Sequence, residues 1–240
     1  MSEETIVGDG RGLDILCASA VRAALTDCAE SFSRATGLGV TLRFDTSGGI
    51  NKRAALGDGA DIFSSSLDSI EDVCARGFSD GTPLTLGSSR IAMGVRAGET
   101  APDISTVAKF RAVLLGAKAF SRGDPAGGGT AGNYLHGVLE KLGILEPTHA
   151  KSILRVGGYK VMQEVAEHRA DFGLTQSTEI AAVAGVKIGA WLPDDLQIVT
   201  TYALTRGGKG AHADAGRAFL AHVAGPEGRA AFARAGFAPA

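Results

Sequence analysis

No run of apolar residues in this chain approaches the ~18 that a membrane-spanning helix needs, so no span is expected. There is no excess of positive charge either. The 24 Lys and Arg against 26 Asp and Glu leave a net charge of −2. That excludes a basic footprint for nucleic acid. Cysteine is scarce: Cys17, Cys28 and Cys74, an odd number without metal-like spacing. They read as buried thiols in a reducing compartment, with Cys28 on the apolar side of a helix. There is no GxSxG elbow, no Walker loop and no His/Cys cluster, and no cofactor or metal is expected. Repeats and low-complexity tracts are missing too. The start, MSEETIVGDGRG, carries acidic residues and no apolar core, so it does not read as a secretory signal. The expectation is a cytoplasmic protein, or a periplasmic one whose signal has been removed.

What the chain has is an ordinary globular composition, 45% hydrophobic and 21% charged, over 240 residues. That suffices for one large domain or two smaller ones. Its most informative stretch is FSRGDPAGGGTAGNYLHG, Phe120 to Gly137. An apolar run precedes it and a helical pattern, Asn133 to Leu142, follows. Gly127, Gly128 and Gly129 lack a Cβ, so the backbone there turns tightly and can approach a ligand. Thr130 is placed to cap the helix, whose first N–H groups suit an anion. Asp124 before Pro125 shapes the turn. The spacing Gly127-x-Gly129-x-x-Gly132 is formally that of a dinucleotide loop. The next strand ends at Arg155-Val156-Gly157 instead of the acidic residue that loop requires.

The same strand–small turn–helix device recurs three times. Leu13–Cys17 passes through Ala18-Ser19-Ala20 into a helix over Val21–Thr36. Val40–Phe44 passes through Thr46-Ser47-Gly48-Gly49 into one over Ile50–Leu56. Leu154–Val156 passes through Gly157-Gly158 into Val161–His168. Further strands are expected at Asp61–Ser64, Arg90–Arg96, Asp171–Thr175 and Leu196–Leu204. Further helices are expected at Ser69–Arg76, Ser105–Leu115 (capped by Asp103 or Ser105), Ala211–Val223 and Pro226–Ala235. This alternation predicts parallel sheets with helices on both faces. Four strand-to-helix turns made of small and hydroxylic residues suggest one anion site. His136, His168, His212 and His222 read as surface residues.

In order and spacing, LDILCASAVRAALTDCAESFSRATGLGVTLRF, TSGG, GADIFSSS, DPAGGGTAG and ADFGLTQSTEI resemble the molybdate-binding-protein-like branch of type II periplasmic binding proteins. The resemblance covers about residues 12 to 238. It implies an α/β fold of two lobes with a ligand cleft between them, residues 1–88 plus 196–240 forming one and 89–195 the other. It further implies ligand contacts at Ser19, Ser47, Thr130, Ala131 and the Tyr159-Lys160 backbone, with Gln176 where molybdate binders resemble one another in having tyrosine. Ala20, Gly48, Gly49, Ser65, Gly128 and Gly129 line the same turns. Arg22, Lys52, Arg90 and Arg122 lie close to them. Added guanidinium and ammonium groups favour a larger anion bearing carboxylates. The branch includes enzymes similar to aconitate isomerase, which the DPAGGG and GGINKR stretches resemble more than dedicated molybdate carriers. Tyr159, Asp124 and Tyr134 are the candidate bases for an allylic proton shift. The alternative is the binding component of an ABC importer for an oxyanion or organic acid, which would meet a permease only if exported.

Overall fold

The computed structural model describes residues 3–9 and 12–239. In chain order the elements are β1 Glu3–Val7, β2 Gly12–Ala18, α1 Arg22–Thr36, β3 Gly39–Asp45, α2 Ser47–Ala55, β4 Ile62–Ser66, α3 Leu67–Ala75 and β5 Leu84–Arg96. Then come α4 Val107–Gly116, β6 Phe120–Gly123, α5 Thr130–Lys141, α6 Leu145–His149, β7 Ser152–Arg155, α7 Gly158–Ala166, β8 Phe172–Gln176 and α8 Ser177–Ala181. Last are β9 Val186–Trp191, β10 Val199–Arg206, α9 Ala213–Ala224 and α10 Pro226–Arg234. Short 3-10 turns occupy Ser19–Val21, Pro125–Gly127 and Asp194–Leu196. The chain divides into two compact units, Met1–Ser88 with Thr200–Ala240, and Ser89–Val199.

The first unit is built on strands in the order β1-β3-β2-β4-β10. The central pairs β2–β3 and β2–β4 are parallel, while β1 on β3 and β10 on β4 are antiparallel. Strand β2 is central and buried almost throughout, so Leu13, Ile15, Leu16 and Cys17 form an apolar run without alternation. Helix α1 lays Ala24, Leu25, Cys28, Ala29 and Phe32 against the sheet at helical spacing and stops at Gly37. Gly37 takes φ 75°, a left-handed cap, and its N–H returns to the Ser33 carbonyl. The Phe32 ring meets Phe219 edge-on at 5.2 Å, tying α1 to α9.

The second unit has strands in the order β9-β5-β8-β6-β7. Here β6–β7 and β6–β8 are parallel, and β5 runs antiparallel to both β8 and β9. One apolar cluster gathers Ile91, Met93, Phe110, Phe120, Leu135, Leu139 and Leu174, with Phe120 and Phe172 stacked at 5.6 Å. A second packs Val161, Met162 and Val165 of α7 against Ala92 and Ile180.

Both sheets are therefore mixed: the expected parallel pairing holds for β2–β3, β2–β4, β6–β7 and β6–β8, and the other pairs are antiparallel. Hydrophobic alternation reports which face a strand buries and not the direction of its neighbour. Strands β1 and β9 were not anticipated. The strand foreseen over Leu196–Leu204 starts at Val199, because residues 194–196 form a 3-10 turn after Pro193. Helix α4 is capped by Thr106, whose hydroxyl accepts the Lys109 N–H at 3.2 Å; Asp103 instead accepts the Ser105 N–H. Cys17 and Cys28 are buried, but Cys74 is half-buried. His222 is not a surface residue: its imidazole is within 2.7 Å of the Ser31 hydroxyl and lies against the Phe32 ring.

Candidate functional site

Strand register decides where the small-residue turns lie. In the first unit Cys17 stands beside Phe44 and beside Ser64 in parallel pairs. The segments that follow, Ser19–Val21, Thr46–Gly49 and Ser65-Ser66, therefore leave the sheet together at its carboxyl edge, the end at which open α/β sheets hold ligands. The Ser66 hydroxyl reaches the Ser47 hydroxyl at 3.5 Å. The Ser65 hydroxyl is buried without a hydrogen-bond partner among the described residues.

Two helix starts differ from the sequence reading here. Helix α2 begins at Ser47, so Ser47, Gly48 and Gly49 are its first turn and not a loop before it. Thr46 is the cap, accepting the Gly49 N–H at 3.0 Å. The segment after β2 winds first as a 3-10 turn, so Ser19 opens that turn, Ala20 is buried within it, and α1 starts at Arg22. Arg22 stands at the very start of its helix. Its guanidinium lies 3.7 Å above the Phe44 ring and is ion-paired with Glu3. Lys52 is exposed in the last turn of α2, where an ammonium complements the carboxyl end of the helix dipole; it is not near the helix start.

Asp45 was not foreseen. Its carboxylate accepts the Thr46 N–H at 2.8 Å and lies over Gly49, where an added Cβ would stand 2.1 Å from its oxygen. Gly49 thus makes room for an internal carboxylate at the start of α2.

In the second unit Gly123 stands beside Arg155, and Arg122 beside Leu174. The turns after β6, β7 and β8 consequently share one edge of that sheet, as does Arg90, the neighbour of Ile91 opposite Gln176. The Asp124 carboxylate accepts the Ala126 N–H at 3.0 Å and caps the turn before Gly128, which takes φ 69°. Gly129 occupies the cap position of α5, so Thr130 is the first helical residue and not the cap. Gly123 and Gly132 touch: an added Cβ on Gly123 would come within 2.7 Å of the Gly132 Cα, so α5 sits directly on β6. Ala131 is buried in the first turn of that helix. The Tyr134 hydroxyl donates to the Leu196 carbonyl at 3.3 Å. Tyr159 is the second residue of α7 and half-buried, and Gln176, the last residue of β8, is buried.

Helix α7 opens against a second internal carboxylate. Its first N–H, from Gly158, donates to Glu179 at 3.0 Å, and the Thr175 hydroxyl donates to the same carboxylate at 2.5 Å. The sequence hint for Glu179 was a glycine in the first turn of a helix, at Gly158; Asp45 and Gly49 repeat it.

Two cations are directed elsewhere. Arg90 pairs with Asp194 at 3.5 Å and lies 5.2 Å from the Trp191 ring centre. Arg122 turns back along its strand. Its Nε approaches Ser152 at 3.4 Å, although its own register partner is Leu154. Burial lowers the pKa of this guanidinium, and Nη1 has no partner among the described residues. Among the described residues no cluster of His, Cys, Asp and Glu has metal-holding geometry, and no helix is long and apolar enough to cross a membrane.

Residues 13–238 match the family model described as bacterial extracellular solute-binding protein. The chain is similar to an aconitate isomerase of a Pseudomonas species, 28% identical over 233 residues, 95% of this chain and 87% of the relative. Among solved structures it resembles the periplasmic molybdate-binding protein of Azotobacter vinelandii. That likeness has a TM-score of 0.79 at 20% identity, covering 95% of this chain and 99% of the other. It also resembles the substrate-binding protein of an ABC transporter from Agrobacterium tumefaciens, with a TM-score of 0.76 at 16% identity and coverage of 98% and 82%. The fold is that of a type II periplasmic binding protein.

Proposed function

The chain belongs to the bacterial extracellular solute-binding protein family, and we propose that it binds a small organic di- or tricarboxylate and isomerises it by an allylic proton shift. The observation that carries this reading is Arg22. In the first unit it follows Ser19 by three residues, lies over the Phe44 ring and already holds a carboxylate, that of Glu3. A tetrahedral oxyanion is held well by neutral N–H and hydroxyl groups. A guanidinium at such a site favours the planar fork of a carboxylate. The likeness to an aconitate isomerase over 95% of the chain supports the same chemistry.

In this reading Ser19, Ser47 and the first N–H groups of α2 take one carboxylate together with Arg22. Isomerisation then needs one group that removes a proton and returns it two carbons away. Of the candidates Tyr159, Asp124 and Tyr134, we take Tyr159, which stands in the first turn of α7. The three unpaired cysteines support a cytoplasmic setting.

The solute-binding family and the transport-associated proteins among the structural neighbours support a second reading, a binding component of an ABC importer that holds the anion without turnover. NMR of the protein incubated with cis- or trans-aconitate separates the two. Interconversion of the isomers, abolished by Tyr159→Phe, is the result expected. Tight binding with unchanged spectra of the acid would establish the second reading instead.

A further inference from the structure

We infer that Glu3 is an internal occupant of the Arg22 carboxylate seat, which a ligand must displace, and that it thereby selects polycarboxylates over monoanions. This deepens the polyanion reading and rests on it. Glu3 is the first residue of β1, the antiparallel edge strand whose register sets Glu3 beside Phe44. The Arg22 guanidinium lies over that same Phe44 ring and pairs with the Glu3 carboxylate. The Arg22 side chain is only 16% exposed and that of Glu3 35%. Arg22 follows Ser19 by three residues, and Phe44, beside Glu3 and beneath the guanidinium, precedes Thr46 by two, at the carboxyl edge of the sheet. Residue Glu4, next in the chain, is exposed.

Glu3 is tethered, so it competes as an intramolecular ligand at high effective concentration. A monocarboxylate that replaces it exchanges one guanidinium–carboxylate pair for another and loses translational freedom in doing so. It has no net gain. A di- or tricarboxylate recovers the loss, because its further carboxylates are held at helix starts where Glu3 does not reach. Glu3 therefore lowers the affinity of every ligand that uses Arg22 by the same factor, a threshold that only ligands with further carboxylates overcome.

The test is calorimetric titration with tricarballylate, a saturated tricarboxylate that cannot be isomerised, and with butyrate as monocarboxylate competitor. Glu3→Gln is expected to tighten tricarballylate about fivefold, or about 1 kcal/mol, and to let butyrate compete at concentrations without effect on the wild type. Glu4→Gln is the control for bulk charge and should leave both unchanged. In an Arg22→Gln background, or Arg22→Lys if the first variant does not fold, the Glu3 effect should vanish. Equal affinity of wild type and Glu3→Gln would overturn the inference, as would equal tightening by Glu4→Gln or tightening that persists without Arg22. If wild type binds no tricarballylate, the polyanion reading itself fails and this inference falls with it.

Discussion

The Gly158 N–H donates to one oxygen of Glu179 at 3.0 Å, and a Cβ built on Gly158 would stand 1.8 Å from the other. The helix start and the carboxylate are fitted to each other. An alanine must drive Glu179 and Thr175 apart, since its Cβ would also lie 2.0 Å from the Thr175 hydroxyl. Gly158→Ala is expected to lower stability by about 2–3 kcal/mol in urea denaturation. Unchanged stability would mean that α7 can begin without this contact.

Thr46 holds the start of α2 by accepting the Gly49 N–H. Thr46→Ala removes that acceptor and should cost about 1 kcal/mol of stability, whereas Thr46→Ser should restore most of it. Because the same turn is proposed to hold a carboxylate, Thr46→Ala should also weaken tricarballylate binding. A variant as stable as wild type would show that the cap adds nothing.

Asp58 provides a pH dependence with a definite sign. Its carboxylate accepts hydrogen bonds from Arg43 at 2.6 and 2.8 Å. Those bonds, with a further one from Arg53, bring its pKa down to about 2, from about 3.9 in an unfolded chain. A depressed folded-state pKa contributes stability that is present above the unfolded value and is lost as pH falls through the folded one. Stability should therefore decline from about pH 4 toward pH 2, and Asp58→Asn should flatten that decline. The same slope in variant and wild type would contradict the assignment.

The cysteines should differ in reactivity. Burial, with Asp27 nearby, pushes the Cys28 thiol up to about 12, and burial drives Cys17 well above the ordinary thiol range. Cys74 is half-buried. Alkylation of the native protein at pH 8, followed by peptide mapping, is expected to mark Cys74 well before the other two. Early labelling of Cys28 would show that α1 does not pack as described.

Much of this arrangement was legible in the sequence, and the physical reasons separate what was from what was not. The buried run Leu13–Cys17 and the stripe Ala24-Cys28-Phe32 carry their periods in the residues themselves, and Gly37 marks a helix end by its left-handed φ. The small-residue turns were visible because Gly127–Gly129 and Ser47–Gly49 have few other uses. Strand direction was not visible, since Glu3–Val7 reads the same on either side of β3. Helix starts were misplaced by three residues at Ser47 and Thr130, because glycines in a first turn look like loop. The internal carboxylates were hidden most deeply. Glu179 lies 21 residues beyond Gly158, and Glu3 lies 19 before Arg22; only the folded register brings each pair together.

The most direct measurement is the equilibrium binding of tricarballylate and of molybdate to the same protein, titrated side by side at one ionic strength. Saturable one-to-one binding of the tricarboxylate, stronger than that of molybdate and weakened at least tenfold by Arg22→Gln, is the result this account predicts. Tighter binding of molybdate, or tricarboxylate binding indifferent to Arg22, would contradict it.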